Sequence, residues 1–451
     1  MDPRTRLLLE GPLVATLLKL ALPNVVVMAV QASIGLIETY FVAKLGLDAL
    51  TGMALVFPLL MLLQTISAGA IGGGILSAVA RALGAGQRDR AVEIVWVSAF
   101  ITLVLGLATT ACMLAFGADL FSLLGGRDGS LAAALTYSTL VFSAATPLWL
   151  FNSLAAVIRG TGNMAFPAIV VTLGAVVLIP LSPVLIFGLG PIPHLGIAGG
   201  AVAIIAYYVV GCFVFGAYLW SGRGVLTIRA MPRRLSWAAA SDILRVGLAS
   251  AVVSSSTNVT IITATGLAGL LGPAAVAGYG TGVRLEYMLI PLVFGMGAPM
   301  SAMVGTATGA GLHRRALAVA WTGAAIAGLL AEVIGVSAAL APERWLTLFG
   351  QDPDMLAIGS SYLRIVGPAY GFFGGGLALY FASQGAGQIR WPMIFGIARV
   401  LIAAGGGWIV VRLFGMGSQA LFLVLATAMI GFGMANALAL RGGAWSGKKG
   451  T

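Results

Sequence analysis

Long runs of apolar residues, separated by short stretches rich in charge, glycine or proline, cover almost the whole chain. Each run is apolar on all sides and long enough for a helix of roughly 20 residues, the length that crosses a bilayer. Spanning strands are not expected, because they would alternate apolar and polar positions. The pattern predicts an all-α integral membrane protein with twelve transmembrane helices, near 14–43, 51–80, 92–117, 131–158, 165–189, 195–220, 242–269, 274–306, 316–340, 355–383, 391–413 and 418–440.

The second half of the chain repeats the first at an offset of 225 residues. ALGAGQRDRA at 82–91 returns as ATGAGLHRRA at 307–316. RGTGNMAFP at 159–167 returns as QGAGQIRWP at 384–392, without a gap between the two matches. Agreement of this kind over more than eighty positions indicates a duplicated unit.

Each half of the repeat holds six of the predicted helices, and Tyr137 of the first half corresponds to Tyr362 of the second. Because six is even, both halves enter the membrane in the same orientation. We therefore predict two pseudo-symmetric six-helix lobes, an N-terminal lobe at 1–220 and a C-terminal lobe at 242–451, joined by a cytoplasmic linker at 221–241.

The composition excludes a soluble protein. Of the 451 residues 59% are hydrophobic and only 9% are charged, and the mean hydropathy is +1.03. Soluble domains carry about 25% charged residues. The net charge of +11 would suggest nucleic acid as a partner in a soluble protein. Here 16 of the 25 basic residues fall on one side of the predicted bundle. The positive-inside rule then places both termini in the cytoplasm, so we expect no nucleic-acid partner.

Residues for metal or redox chemistry are scarce. Cys112 and Cys212 lie in apolar runs and are interpreted as small hydrophobic packing residues. His194 and His313 stand alone in predicted loops, and the sequence has no HExxH motif. We expect no metal site, no cofactor and no enzymatic activity.

Glu38 is the strongest candidate for ion coupling. An acid in a spanning helix costs about 2.5–3.5 kcal/mol at the centre, so such residues are functional candidates. No Lys or Arg lies between Lys19 and Lys44, which leaves Glu38 without a basic partner on its own helix. Burial disfavours the charged form of a carboxyl group, a property that a proton carrier needs. A structural buried acid is the alternative. Four residues share its helix face: Gln31, Ile34, Gly35 and Val42.

Glu286 is the second intramembrane acid, in the segment GVRLEYMLIP. It lies two residues from Arg284, a spacing that puts the two side chains on different helix faces. Glu286 either contributes to a cavity or forms a structural pair with Arg284, Arg364 or Arg399.

Five segments carry a resemblance to a known family. They are, in chain order, ETYFVAKLGLDAL, SAVARALGAGQRDRA, RGTGNMAFP, GVRLEYMLIP and QGAGQIRWP. In this order they resemble the recurring motifs of the multidrug and toxic compound extrusion (MATE) transporters. The resemblance implies a cation-coupled antiporter of the bacterial inner membrane, which exports amphipathic, cationic compounds by rocker-switch alternating access. It also implies two six-helix lobes, and we expect the protein to be a monomer.

The family resemblance assigns roles to two residues of the first helix. Bacterial members place an acid, usually Asp, where Glu38 stands, and a proline at the position of Pro23, where we expect the helix to bend. Sodium-binding members add Asn, Asp and Thr ligands where this chain has Leu178, Ser182 and Ile204. A hard cation needs several oxygen ligands, so these departures favour H⁺ over Na⁺, although water or backbone carbonyls could complete a sodium shell.

The remaining polar and aromatic positions of the predicted helices are candidates for a substrate cavity. Hydrogen bonding between helices is the alternative role for the polar ones. A flippase for a lipid or lipid-linked sugar, a sodium-coupled exporter, a membrane-embedded enzyme and a passive channel are the alternative functions. The candidate cavity residues are Gln31, Tyr40, Phe57, Gln64, Asn152, Ser182, Thr257, Asn258, Arg284, Glu286 and Tyr370.

Overall fold

The computed structural model describes residues 2–188, 193–229, 231–232 and 235–445, and omits the side chains of Ala32, Ile290 and Pro291 within helices. Throughout these ranges the chain is almost entirely helical and forms no strand. Part of the predicted linker, including Arg233 and Arg234, therefore lies outside the described residues. The helical fold follows from the medium, because a backbone in lipid must satisfy its own hydrogen bonds.

The chain divides into two compact units, and each draws on two segments. Unit 1 comprises Met1–Arg6 and Leu22–Gly247, and unit 2 comprises Leu7–Ala21 and Leu248–Thr451. Three helices have residues in both units: α1 (Pro3–Glu10), α2 (Leu13–Ala43) and α10 (Trp237–Gly269).

Among the described residues, seven helices lie wholly in unit 1, and a π-helical segment at Thr65–Ile71 separates the first two of them. They are α3 (Leu47–Gln64), α4 (Gly72–Gly84), α5 (Arg88–Leu123), α6 (Asp128–Ser143), α7 (Ala145–Gly160), α8 (Ala165–Phe187) and α9 (Ile197–Ser221). Phe151 is buried in the unit and contacts the rings of Tyr207, Tyr208 and Phe215, with ring centroids 5.0–5.3 Å apart.

In the part of unit 2 that the structure describes, seven helices lie wholly within the unit. They are α11 (Pro273–Gly309), α12 (His313–Leu340), α13 (Pro342–Leu346), α14 (Pro353–Val366), α15 (Tyr370–Ala386), α16 (Arg390–Leu401) and α17 (Ser418–Arg441). A 3₁₀ turn at Gly367–Ala369 joins α14 to α15, and π-helical turns at Ile402–Gly406 and Ile409–Leu413 extend α16. Small residues let helices approach closely: a Cβ on Gly335 would clash with the carbonyl oxygen of Gly367.

The predicted fold class is confirmed. Among the described residues, eleven helices are long and apolar enough to cross a membrane, or twelve if α6 and α7 form one span. The 131–158 prediction covers that pair, which bends by 48°. Pro147 lies in the first turn of α7, where its ring and missing N–H disfavour continuation of the preceding helix. The sequence predicts that the two lobes are joined by a linker at 221–241. In the structure, residues up to Gly247 make their contacts with unit 1.

Candidate functional site

Glu38 lies on α2 inside unit 1, and only 7% of its surface is exposed. Its Oε1 accepts a hydrogen bond of 2.9 Å from the hydroxyl of Tyr137, a fully buried residue of α6. A tyrosine hydroxyl can donate to an ionised carboxylate and can accept from a protonated one. The pair can therefore hold Glu38 in either protonation state.

Apolar side chains line the small cavity beside Glu38. Ser182 of α8 also lines this cavity, and its buried hydroxyl has no hydrogen-bond partner. On another side of Glu38 the backbone of α9 approaches closely at Gly200. A Cβ at Gly200 would lie 3.0 Å from Oε1 of Glu38. The apolar lining consists of Ile34, Ile37, Leu178 and Ile179.

No basic side chain of the described ranges forms a salt bridge with Glu38. Lys44, the next basic residue along the chain and just beyond the end of α2, has its Nζ 4.6 Å from the centre of the Tyr40 ring. The carboxyl group thus sits in an apolar environment with one neutral donor. Such a group can exchange a single proton when water or another carrier reaches it.

A second polar group in unit 1 connects two predicted cavity residues. Nδ2 of Asn152 donates to Oε1 of Gln64 at 3.2 Å and to Oγ of Ser67 at 2.7 Å. Ser67 belongs to the π-helical segment, a geometry often found at functional sites. The structure therefore brings Gln64 and Asn152 together as a hydrogen-bonded pair between α3 and α7.

Unit 1 also has a larger, open apolar cavity of about 280 Å³ between α7, α8 and α9, and its lining residues Leu173, Val177 and Val210 are exposed. Leu178 lines both this cavity and the small one beside Glu38. Gly174 and Gly211 lie in its wall, together with the ring of Tyr207, whose buried hydroxyl has no hydrogen-bond partner.

Glu286 is a buried acid of unit 2 that also contacts a tyrosine. It is 3% exposed, and its Oε2 accepts from the Tyr362 hydroxyl at 3.3 Å. Of the three arginines that could pair with it, Arg399 interacts with it electrostatically. Arg364 is exposed, and Arg284 lies over the ring of Phe349 at 4.9 Å.

Arg399 is buried in unit 2 with 3% exposure. Its Nη2 donates to Oγ1 of Thr257 at 2.8 Å, and its guanidinium lies over the rings of Phe373 and Phe432 at 4.8 and 5.2 Å. Such contacts stabilise a cation that is removed from water. Its Nε has no hydrogen-bond partner, and no carboxylate of the described residues lies within 4.0 Å.

The other predicted cavity residues lie in varied surroundings, and their roles stay predictions. Gln31 is half-buried, Phe57 packs beside Gly35, and Tyr370 is fully buried. Tyr40 is 59% exposed, and Asn258 is also exposed.

Sequence reasoning missed two contacts. It did not identify Tyr137 as the partner of Glu38, although the repeat had singled out Tyr137 and Tyr362 as equivalent positions. It also did not identify the contact of Glu332, another acid of the predicted spanning helices, whose Oε2 accepts from the N–H of Gly371 at 2.8 Å. That N–H lies at the start of α15, where the 3₁₀ turn interrupts the helical hydrogen bonds.

A multi-pass helical bundle built from two repeats, with buried ionisable groups in both units, has the architecture of a secondary transporter. A family model described as MatE matches residues 23–184 and 246–409. The last residues of these two segments are 225 positions apart, which is the offset of the repeat. The chain belongs to this family, whose members are transporters and not enzymes.

Similar proteins of known name support the family assignment. The chain is 27% identical over 370 residues to a protein named FAD transporter from Shewanella oneidensis, covering 81% of each chain. It is 26% identical to a protein named probable multidrug resistance protein NorM from Thermotoga maritima, over 84% of this chain and 81% of the relative.

Solved structures confirm the fold. A structure titled "Crystal structure of MATE in the bent conformation" superimposes with a TM-score of 0.90 at 24% identity, over 99% of this chain and 98% of the other. A MOP superfamily transporter from Pyrococcus furiosus, with a title that reports reverse polarity of its binding pocket, superimposes with a TM-score of 0.88 at 23% identity over 100% of both chains. The protein is therefore a multi-pass membrane transporter of the MATE type.

Proposed function

We propose that this transporter is a proton-coupled antiporter that exports amphipathic, cationic compounds from the bacterial cytoplasm by alternating access. It works as a monomer in the inner membrane with both termini in the cytoplasm. Glu38 loads a proton from outside and releases it inside. Proton and substrate favour opposite openings of the transporter, and that difference couples their movements.

The environment of Glu38 is the observation that carries the proposal. Its carboxyl group is buried, contacts one neutral donor and has no salt bridge within the described ranges. A carboxylate in apolar surroundings is destabilised relative to its protonated form. Loading and unloading a proton then changes the charge inside unit 1, which gives the two states different conformational preferences.

The ligand set favours a proton over sodium. Hard cations are bound by several oxygen atoms. Leu178 lines the cavity beside Glu38 without an oxygen in its side chain, which leaves Tyr137 and Ser182 as the neighbouring side-chain oxygens. No group of three or more His, Cys, Asp or Glu that could hold a metal ion occurs among the described residues.

The apolar cavity of unit 1 supports an amphipathic substrate. Its volume of about 280 Å³ and its lining by Val, Leu, Phe and Tyr side chains suit an aromatic or aliphatic body. Glu38, close to the same helix α8, supplies the negative charge that a cationic group would seek.

The decisive experiment measures efflux of ethidium from proteoliposomes under a pH gradient at zero sodium. Glu38→Gln keeps the shape of the side chain but removes the exchangeable proton, so we expect efflux to fall about tenfold or more. Glu38→Asp should retain partial activity. Glu332→Gln is the matched control, because it changes another acid of a spanning helix, and it should stay within about twofold of the unmutated protein.

Two results would contradict the proposal. Full activity of Glu38→Gln would exclude Glu38 as the proton carrier. A strict requirement of the unmutated protein for sodium would replace the proton by sodium as the coupling ion.

An organic anion is the second candidate substrate. Arg399 carries a buried positive charge with no carboxylate of the described residues within 4.0 Å, and one relative is named FAD transporter. The same vesicles loaded with a flavin nucleotide in place of ethidium separate the two candidates.

A further inference from the structure

The first spanning helix of each repeat begins in one unit and continues in the other. Helix α2 has its residues up to Ala21 in unit 2 and the rest in unit 1. Helix α10 has its residues up to Gly247 in unit 1 and the rest in unit 2. The starts of these two helices are therefore held by contacts different from those that hold their remaining parts.

Arg315 holds the end of α1 and the turn that leads directly into α2. Its Nε donates to the carbonyl oxygen of Leu8 at 3.0 Å, and its Nη2 donates to that of Gly11 at 2.7 Å. Leu8 lies in the last turn of α1, and Pro12, four residues on, has no N–H to offer its carbonyl. The guanidinium thus satisfies a carbonyl left free at a helix C-terminus, where positive charge is favoured. Glu10 adds an electrostatic attraction to Arg315.

Arg90 and Glu93 hold the start of α10. Nη1 of Arg90 donates to Oγ of Ser236 at 3.1 Å, and Oε1 of Glu93 accepts from the backbone N–H of Ser236 at 2.8 Å. The Ser236 hydroxyl in turn accepts from the N–H of Ala239, the bond expected of an N-cap residue. An ion pair of 3.2 Å joins Arg90 to Glu93.

The two contacts occur at equivalent positions of the repeat. Arg90 and Arg315 are 225 residues apart, and so are their partners Ser236 and Gly11. The bonds differ in detail, since one arginine binds a hydroxyl and the other binds carbonyl oxygens. The first turns of α5 and α12 therefore each place an arginine on equivalent points of the repeat, by different hydrogen bonds.

Each shared helix has a residue that weakens it close to the position where it changes unit. Pro23 follows the change in α2 by two residues, and Gly247 is the last residue of unit 1 in α10. Proline removes a helical hydrogen bond and glycine lowers helix stability, so bending is easiest at these points. A bend there moves the spanning part only if the start of the helix stays fixed.

We propose that Arg90 and Arg315 are positioning residues for transport, each anchoring the start of the spanning helix that the two units share. This inference rests on the alternating-access part of the proposed function. With both anchors intact, α2 and α10 bend at Pro23 and Gly247 when the transporter changes state. Without an anchor, the helix start moves instead, and fewer transporters complete the change.

The test uses Arg315→Gln and Arg90→Gln in the full-length protein, with Arg314→Gln and Arg88→Gln as matched controls. Both control residues are exposed and lie within two positions of the anchors. Hydrogen–deuterium exchange follows the helix starts, at 7–21 and 231–247. Ethidium counterflow without a pH gradient follows the rate of alternation.

We expect Arg315→Gln to raise amide exchange about tenfold in 7–21 only, and Arg90→Gln to do so in 231–247 only. Both variants should lower the maximal counterflow rate about fivefold while the half-saturating ethidium concentration changes less than about twofold. Arg315→Lys and Arg90→Lys, which keep the charge, should recover part of the rate. The controls should match the unmutated protein in both measurements.

Increased exchange with an unchanged counterflow rate would show that the contacts serve stability alone, and it would overturn the inference. Unchanged exchange would overturn it as well, since the helix starts would then not depend on the anchors. If the unmutated protein shows counterflow but no pH-driven efflux, the proposed proton coupling is wrong. The comparison between the anchor variants and the control variants still tests whether the arginines are needed for alternation.

Discussion

Two tyrosines that the repeat makes equivalent each donate a hydrogen bond to a buried glutamate. Tyr137 binds Glu38 at 2.9 Å, and Tyr362 binds Glu286 at 3.3 Å. The acids themselves are not equivalent, because Glu38 lies on α2 and Glu286 on α11. Their surroundings differ too: Glu286 faces the charge of Arg399, whereas Glu38 has no salt bridge in the described ranges. The difference favours Glu38 as the residue that exchanges its proton.

Gly200 provides a residue-scale prediction. The methyl group of Gly200→Ala would lie 3.0 Å from Oε1 of Glu38, and Oε1 is the atom that Tyr137 binds. The carboxyl group must then shift by a few tenths of an ångström, so we expect a loss of about 1 kcal/mol in unfolding free energy. Proton-driven ethidium efflux should fall about threefold or more. Thermal unfolding in detergent and efflux assays measure the two effects.

Gly216→Ala is the matched control on the same helix. A Cβ at Gly216 meets nothing within 4 Å, and alanine is a better helix former than glycine. The control should keep its efflux rate and its stability. Equal behaviour of the two alanine variants would mean that the space beside Glu38 is not restrictive.

Helix breaks are the element-scale feature that apolar runs do not reveal. The break between α6 and α7 falls at Ala144, and the 3₁₀ turn between α14 and α15 includes Ala369, the equivalent residue 225 positions on. Side chains from neighbouring helices compensate for both. Thr110 donates to the carbonyl of Phe142 at 2.6 Å, and Glu332 accepts from a backbone N–H at the second break.

Pro23 provides the element-scale prediction. It lies inside the continuous helix α2 and removes one backbone hydrogen bond from it. If the helix bends there during transport, Pro23→Ala should stiffen it and lower the efflux rate about threefold or more. Distances between spin labels at the exposed positions Val14 and Leu36 should then vary less with pH.

Pro58→Ala, which removes an internal proline from α3, is the control for a general effect of proline on helix stability. It should leave the distances between the labels unchanged. Unchanged distances and efflux in Pro23→Ala would mean that bending at Pro23 has no part in transport.

Orientation in the membrane is the prediction at the scale of the whole molecule. Cysteines placed at Arg88 and Arg314 should react with an impermeant reagent from the cytoplasm, and cysteines at Asp128 and Pro353 from outside. The background should lack Cys112 and Cys212, because both are free and Cys112 is exposed. Labelling of the Asp128 position only from the cytoplasm would reverse the predicted orientation.

A second property of the whole molecule is that each unit is built from two separate segments of the chain. The sequence places a lobe boundary in the linker, but the contacts assign residues 7–21 to the unit of the second repeat. Leu8, Leu9, Leu17 and Ala21 pack in the apolar core of unit 2. Arg315 also binds the carbonyl oxygens of Leu8 and Gly11, which lie more than 300 residues away along the chain. No local pattern contains that information.

Sequence reasoning also predicted part of the candidate site. Glu38 stood out because it is an acid within an apolar run that has no nearby basic residue, and it is indeed buried. Gln64 and Asn152 were named separately, yet their hydrogen bond joins residues 88 positions apart. Arg399 was one of three possible partners of Glu286, and only packing distinguishes it from the exposed Arg284 and Arg364.

The sequence by itself determined the membrane-spanning helices and the duplication, because lipid requires every spanning segment to satisfy its backbone within its own helix. Those properties depend on local composition and on a fixed offset. The tertiary structure alone decided that Tyr137 faces Glu38 across 99 residues, that Thr257 binds Arg399 across 142, and that Ser236 binds Arg90 across 146. Such contacts depend on which helix faces meet when small side chains allow close packing, and each helix could present its polar residues to several neighbours.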